Sequence, residues 1–158
     1  LEQPLGLEDL ADHAILAKKI RTPVCLDESI TSPDLASNAV DMRACRVVNI
    51  KPARVGGPTQ AIRIHDFCRR RRVPVWCGGL LESGVGRLHN VAIASLPGFT
   101  KPGDISGSDR YYDPDVIDEP VVVSGKGTIA VRQGKGIGAE VRADVLRLRR
   151  VGRVVIRG

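Results

Sequence analysis

At 158 residues the chain is of single-domain size and long enough to bury a core. Its 42% apolar and 27% charged residues are ordinary for a globular protein, and no apolar run approaches the roughly 20 residues of a membrane span. The net charge of +6 gathers at Arg69 to Arg72 and after Arg147, but only 3% of residues are aromatic, so a stacking platform for single-stranded nucleic acid is excluded.

The elements follow a beat. LEQPL (1–5) reads as a short strand end, and residues 7–20 carry apolar side chains at helical period. PVCL (23–26) is strand-like. The segment 32–44 opens with Ser32 and Pro33, an N-cap followed by proline at the first helical position. RVVNI (46–50) is strand-like, 57–72 helical, PVWCG (74–78) strand-like, and 83–97 a helix opened by Ser83 and closed by Pro97. GFTKPGD (98–104) has room for one more short strand. Short apolar runs alternating with helices are the pattern of βα units on a parallel sheet, and strands apolar on both faces are expected where both faces are covered. A doubly wound sheet and a (β/α) barrel both fit. After residue 105 the beat stops. EPVVVSGKGTIAV (119–131) reads as a hairpin turning at Gly125 to Gly127, 132–141 is a glycine-rich return, and 146–158 is basic, a strand or a loose tail.

The polar residues discriminate between architectures. Glu2, Asp27, Lys51, Glu82 and Asp104 each fall at or just past the C-terminal end of a predicted strand. In a barrel those ends converge on one mouth, where active sites lie. RVGGP at 54–58 does not satisfy the G-x-G-x-x-G fingerprint, so a Rossmann-type nucleotide site lacks its main signal. Carboxylates at 2 and 27 and an amine at 51 suit one chemistry. Hard oxygens on neighbouring strand ends hold Mg²⁺ or Mn²⁺, and an amine beside a divalent cation is less committed to its ammonium form and serves as a base. The plainer reading of Asp27 and Lys51 is an ion pair between adjacent strand ends.

EQPL, TPVCLDES, VVNIKPARVGG, VPVWCGGLLESGVGR and PGDISGSDRYY, in that order, resemble the C-terminal part of the enolase superfamily. The similarity is strongest to its muconate-lactonizing subgroup, in the o-succinylbenzoate synthase / N-acylamino acid racemase branch, and runs from Leu1 to about Val141. The resemblance implies an α/β fold, a partial (β/α) TIM-type barrel of the last four to five βα units (1–105). A C-terminal β segment of the capping region (106–141) and an atypical basic tail (142–158) would follow. It implies metal carboxylates at Glu2 and Asp27, a catalytic Lys51, a supporting role for Glu28 beside the ion, and substrate contacts from Gly78, Gly79, Leu80, Glu82 and Ser83.

The activity so implied abstracts the proton alpha to a carboxylate and stabilises an enediolate with Mg²⁺ (or Mn²⁺), the pairing of lysine base and Mg²⁺ that enolase-superfamily sites use. The substrate would be a small-molecule carboxylate, the intact parent a homo-oligomer. The family's K-x-K motif and first metal carboxylate have no counterpart here, and the chain does not open with Met. A C-terminal fragment, inactive alone, is expected. The alternatives are a non-catalytic truncated product, a half-barrel needing a partner, or a dipeptide epimerase-like enzyme. Against the last, the Asp-x-Asp pair of dipeptide epimerases reads Asp104-Ile105-Ser106 here.

Other residues have plainer expectations. His13, His65 and His89 lie within helix patterns, and Trp76 is expected in packing. Cys25, Cys45, Cys68 and Cys77 form no C-x-x-C pair and read as reduced, buried thiols of a cytoplasmic protein. The arginine run sits at the polar end of a helix, where cations complement the dipole, so no nucleic-acid partner and no membrane partner are expected.

Overall fold

A computed structural model describes residues 1–156. Its elements run α1 (Leu10–Lys19), β1 (Cys25–Leu26), α2 (Pro33–Asp41), β2 (Val47–Ile50), α3 (Pro58–Arg70), β3 (Val75–Cys77), α4 (Gly84–Ala94), a 3₁₀ turn (Ser108–Arg110) and α5 (Ala143–Arg149). The three strands make a parallel sheet in the order β1-β2-β3, with Leu26 opposite Val48 and Val48 opposite Val75. The outermost apolar runs join it through single parallel bridges, Glu2 to Cys25 on one edge and Phe99 to Val75 on the other. Both are shorter than the strands read from sequence. Pro4 and Pro102 each lack the N–H that would continue a ladder.

Alternation along the strands separates two faces. Val24, Leu26, Val48, Ile50 and Val75 are buried and join one core cluster with Ala14, Ala36, Ala61 and Ile64 of the helices. Cys25, Asp27, Asn49, Lys51 and Trp76 belong to the opposite face. The helices start where local chemistry dictates. Asp9 accepts from Asp12 N–H (3.0 Å) at α1, and Ser32 accepts from Leu35 N–H (3.2 Å) ahead of Pro33 at α2.

Helix α4 is capped differently from the sequence expectation. Ser83 occupies the N-cap position but its side chain makes no capping bond. The buried carboxylate of Asp115, 31 residues on, accepts from Gly84 N–H at 2.8 Å. Gly84 is required there, because a Cβ would lie 2.4 Å from Ile117 Cδ1. Leu88, Ile117 and Val121 form a second core cluster, with Val85, Ile129 and Ile137 against it, so the chain after residue 106 is fastened to α4.

Two expectations fail in this region. The hairpin over 119–131 keeps its turn, with Ser124 N–H donating to Thr128 O at 2.9 Å, but no strands flank it. Val122, Val123 and Val131 are exposed and only Val121 and Ile129 pack inward, too little alternation to fix a strand register. The segment 146–158, read as strand or loose tail, begins inside α5, where Val145 is buried. Residues 150–156 carry no regular element, and 157–158 lie outside the described residues. Among the described residues no helix is long and apolar enough to cross a membrane.

Candidate functional site

The C-terminal ends of the strands meet around a hollow of about 570 Å³ bordered by Glu2, Asp27, Glu28, Lys51 and Asp104. The three residues singled out at 2, 27 and 51 are therefore brought together. Asp27 is buried at 4% exposure and both its oxygens are engaged: Lys51 Nζ donates to Oδ2 at 2.7 Å and Arg54 Nη1 to Oδ1 at 2.6 Å. A buried carboxylate is tolerable when paired in this way. Arg54 also donates from Nε to Ile30 O (3.0 Å) and from Nη2 to Asn49 O (3.2 Å), which fixes its guanidinium against the backbone.

Glu2 is exposed, and its Oε1 accepts from Asn49 Nδ2 at 3.2 Å. Asn49 is fully buried and, among the described residues, its Oδ1 has no partner. Gln3, at φ 36°, pins the loop that carries Asp27: its Oε1 accepts from Asp27 N–H (3.0 Å) and Ser29 N–H (3.3 Å), while Nε2 donates to Ser29 Oγ (2.8 Å). Glu28 borders the hollow but is exposed and makes no side-chain hydrogen bond among the described residues, so Gln3 does the holding expected of Glu28.

The loop 78–83 divides. Gly78 is buried against the site, where a Cβ would lie 2.4 Å from Asn49 Oδ1 and 2.6 Å from Lys51 Cε. Gly79 N–H donates to Asp104 Oδ1. Gly79 and Leu80 border a second hollow of about 420 Å³ with Leu81, Ser106 and Tyr111; Asp104 borders both hollows. Glu82 turns back onto its own loop and α4, accepting from Leu80 N–H (2.7 Å) and from Asn90 Nδ2 of α4 (2.9 Å), and neither it nor Ser83 borders either hollow.

Gln3, Asn49 and Arg54 were missed as site residues. Asn49 had a usable signal, since it lies two positions before Lys51 on one strand and so shares its face. Arg54 lies one short turn past Lys51, with Arg54 N–H donating to Lys51 O (2.9 Å), but nothing in its spacing names Asp27 as partner. Trp76, expected in packing, is half-buried on the site-bearing face and donates from Nε1 to Cys25 Sγ at 3.3 Å. Burial pushes the Cys25 thiol up to about 11. His13 and His65 are buried within α1 and α3, and His89 is exposed on α4; none borders either hollow.

Comparison with known proteins matches this arrangement to a family. The sequence profile described as Enolase C-terminal domain-like covers residues 1–145. This chain belongs to that family. It is 49% identical over 147 residues to the o-succinylbenzoate synthase of Bacillus subtilis (strain 168), covering 93% of this chain and 39% of the relative. It is 55% identical over 146 residues to the N-succinylamino acid racemase of Amycolatopsis sp, covering 92% and 39%. Among solved structures, an unknown member of the enolase superfamily from Enterococcus faecalis V583 superposes with a TM-score of 0.88 at 43% identity, over 93% of this chain and 40% of that one. The chain thus spans about two fifths of the length of the relatives it matches.

Proposed function

We propose that this chain is part of a divalent-metal-dependent lyase or racemase that removes the proton alpha to a carboxylate. The substrate is a succinyl-cyclohexadiene carboxylate, dehydrated to o-succinylbenzoate, or an N-succinylamino acid, racemised. The observation that carries the reading is the convergence of Glu2, Asp27 and Lys51 on one hollow, in a chain about half identical to a synthase and a racemase of those names.

The residues present fit a hard cation. Mg²⁺ is commonly held by one or two carboxylates and its own waters. Here four carboxylates, those of Glu2, Asp27, Glu28 and Asp104, border one hollow, and the orphaned Asn49 Oδ1 lies buried beside Glu2. Glu2 and Asp27 would hold the ion, which would supply positive charge to stabilise an enediolate. Mg²⁺ is favoured, with Mn²⁺ the other ion such oxygens accept.

The chain's own residues do the rest. Lys51 Nζ takes or returns the alpha proton, and its contact with Asp27 keeps it aimed into the hollow. Arg54 and Gln3 fix Asp27 from behind. Gly78 leaves the space that Lys51 needs, and Gly79 and Leu80 border the path along which the substrate's succinyl arm extends.

In this reading the sheet and its two bridged edges are the last four to five βα units of a (β/α) barrel, spanning 1–105. Residues 106–141 return to the capping region and 142–158 are an atypical tail. The intact enzyme is a cytoplasmic homo-oligomer. In this reading the isolated chain is inactive, because the opposite acid/base that the family resemblance implies has no counterpart among residues 1–158. The test is an assay of the full-length enzyme with Mg²⁺ and both substrates. Turnover of at least one, lost in Lys51→Ala, is expected; no turnover of either removes the proposal.

A further inference from the structure

Two helices of this chain end in the same way, and at both ends an arginine stands where the backbone favours glycine. After α2, Arg43 has φ 60°, its N–H donates to Val40 O (3.0 Å) and Ala44 N–H reaches back to Ala39 O (2.9 Å). After α3, Arg72 has φ 57°, its N–H donates to Arg69 O (3.1 Å) and Val73 N–H reaches back to Cys68 O (2.9 Å). This pair of bonds closes a helix through one left-handed residue, a position that glycine fills without a Cβ penalty. The strain is carried twice, and strain held in a backbone points to use of the side chain it presents.

Both arginines border one hollow of about 400 Å³. It lies at the end of the strands opposite Asp27 and Lys51, beside the C-terminal end of α1 and the loops entering β2 and β3. Lys18 and Arg46 complete a ring of four cations, and among the described residues no carboxylate borders the hollow. Among the described residues none of the four side chains makes a hydrogen bond or ion pair, so they are not spent on capping helix carbonyls. Arg71, by contrast, is held by Asp41 and lies over the Phe67 ring. The hollow's remaining lining is apolar or neutral: Ala17, Val40, Val73 and Cys45, whose thiol burial pushes up to about 12.

We propose that this hollow binds a small phosphate-bearing anion, with Lys18, Arg43, Arg46 and Arg72 as its donors. Four unpaired cations exceed what a single carboxylate neutralises, and the guanidinium fork matches phosphate oxygens in pairs. The site is concave and has no aromatic lining, and Arg71 is already engaged, so the arginine run offers no continuous track for a nucleic acid.

Calorimetric titration of the full chain with inorganic pyrophosphate at low salt tests this. Saturable one-to-one binding is expected, weakened by about tenfold or more when Arg43→Gly and Arg72→Gly remove two charge-assisted contacts. The same pair should leave the melting temperature unchanged or higher, since glycine relieves both left-handed positions. Arg63→Ala, which removes one charge from the exposed side of α3, should leave the affinity unchanged. The proposal is overturned if pyrophosphate shows no saturation, if Arg63→Ala weakens binding as much as the pair does, or if duplex DNA binds and pyrophosphate fails to displace it.

Discussion

Replacing Asp27 by Asn keeps the side-chain shape and removes the charge that Lys51 and Arg54 share. The side chain of Asp27 is 5% exposed, those of Lys51 and Arg54 13% and 16%, and the two contacts are 2.7 and 2.6 Å. Removing one partner of a buried ion pair costs about 3–5 kcal/mol, because the remaining charge is left uncompensated. Both cations here keep some water, so the lower end applies, about 3 kcal/mol. With an m-value of about 1.5 kcal/mol/M, the urea midpoint of the full chain in chelator falls by about 2 M. Lys51→Met leaves Arg54 to neutralise Asp27 and should cost about 1.5 kcal/mol, one charge-assisted hydrogen bond. If Asp27→Asn shifts stability by less than about 0.5 kcal/mol, the size of an ordinary surface substitution, the carboxylate does not hold these cations and the site's electrostatics are misread.

Gly78→Ala should cost about 1–3 kcal/mol by overpacking and displace Lys51, since the new Cβ would meet Asn49 Oδ1 at 2.4 Å; thermal melts and the loss of turnover in the full-length enzyme check it. Asp115→Ala should cost about 1–2 kcal/mol, the range of a lost N-cap, and raise hydrogen exchange at Gly84 while leaving α1 to α3 unaffected. Stability should fall above pH 9. Burial raises the Cys25 thiol to about 11 and those of Cys45, Cys68 and Cys77 to about 12, from 9.0. The unfolded chain therefore releases protons that the folded chain keeps. The contribution is complete below pH 9 and is lost as pH rises towards 11 and 12, at about 1.4 kcal/mol per pH unit for each thiol. Urea midpoints at pH 8 and pH 10 measure it, and equal midpoints would contradict the burial of these thiols.

The sequence was most readable where one local rule acts alone. Ser32-Pro33 announces α2, and charges ending the apolar runs at Asp27 and Lys51 announce the strand ends because a buried strand has no other reason to stop on them. It was least readable where a residue's partner is remote. Nothing near Ser83 indicates that Asp115 caps α4. Asn49 hides inside VVNI because its burial and its hydrogen bond to Glu2 exist only once the Glu2 edge, β1 and β2 lie in register. Glu28 drew attention by adjacency to Asp27, yet it lies exposed in the turn after β1, and the side chain that steadies Asp27 came from Gln3. Helix α5 was missed because LRLR alternates like a strand, while the burial of Val145 that anchors the helix depends on tertiary packing.

On the proposed function, Glu2, Asp27 and Lys51 surround one cation. Titrating Mn²⁺ into the isotope-labelled chain and following paramagnetic broadening residue by residue tests it directly. Resonances of Glu2, Asp27 and Lys51 should broaden first and recover on adding excess Mg²⁺. Broadening centred elsewhere, or spread evenly over surface carboxylates, would contradict it.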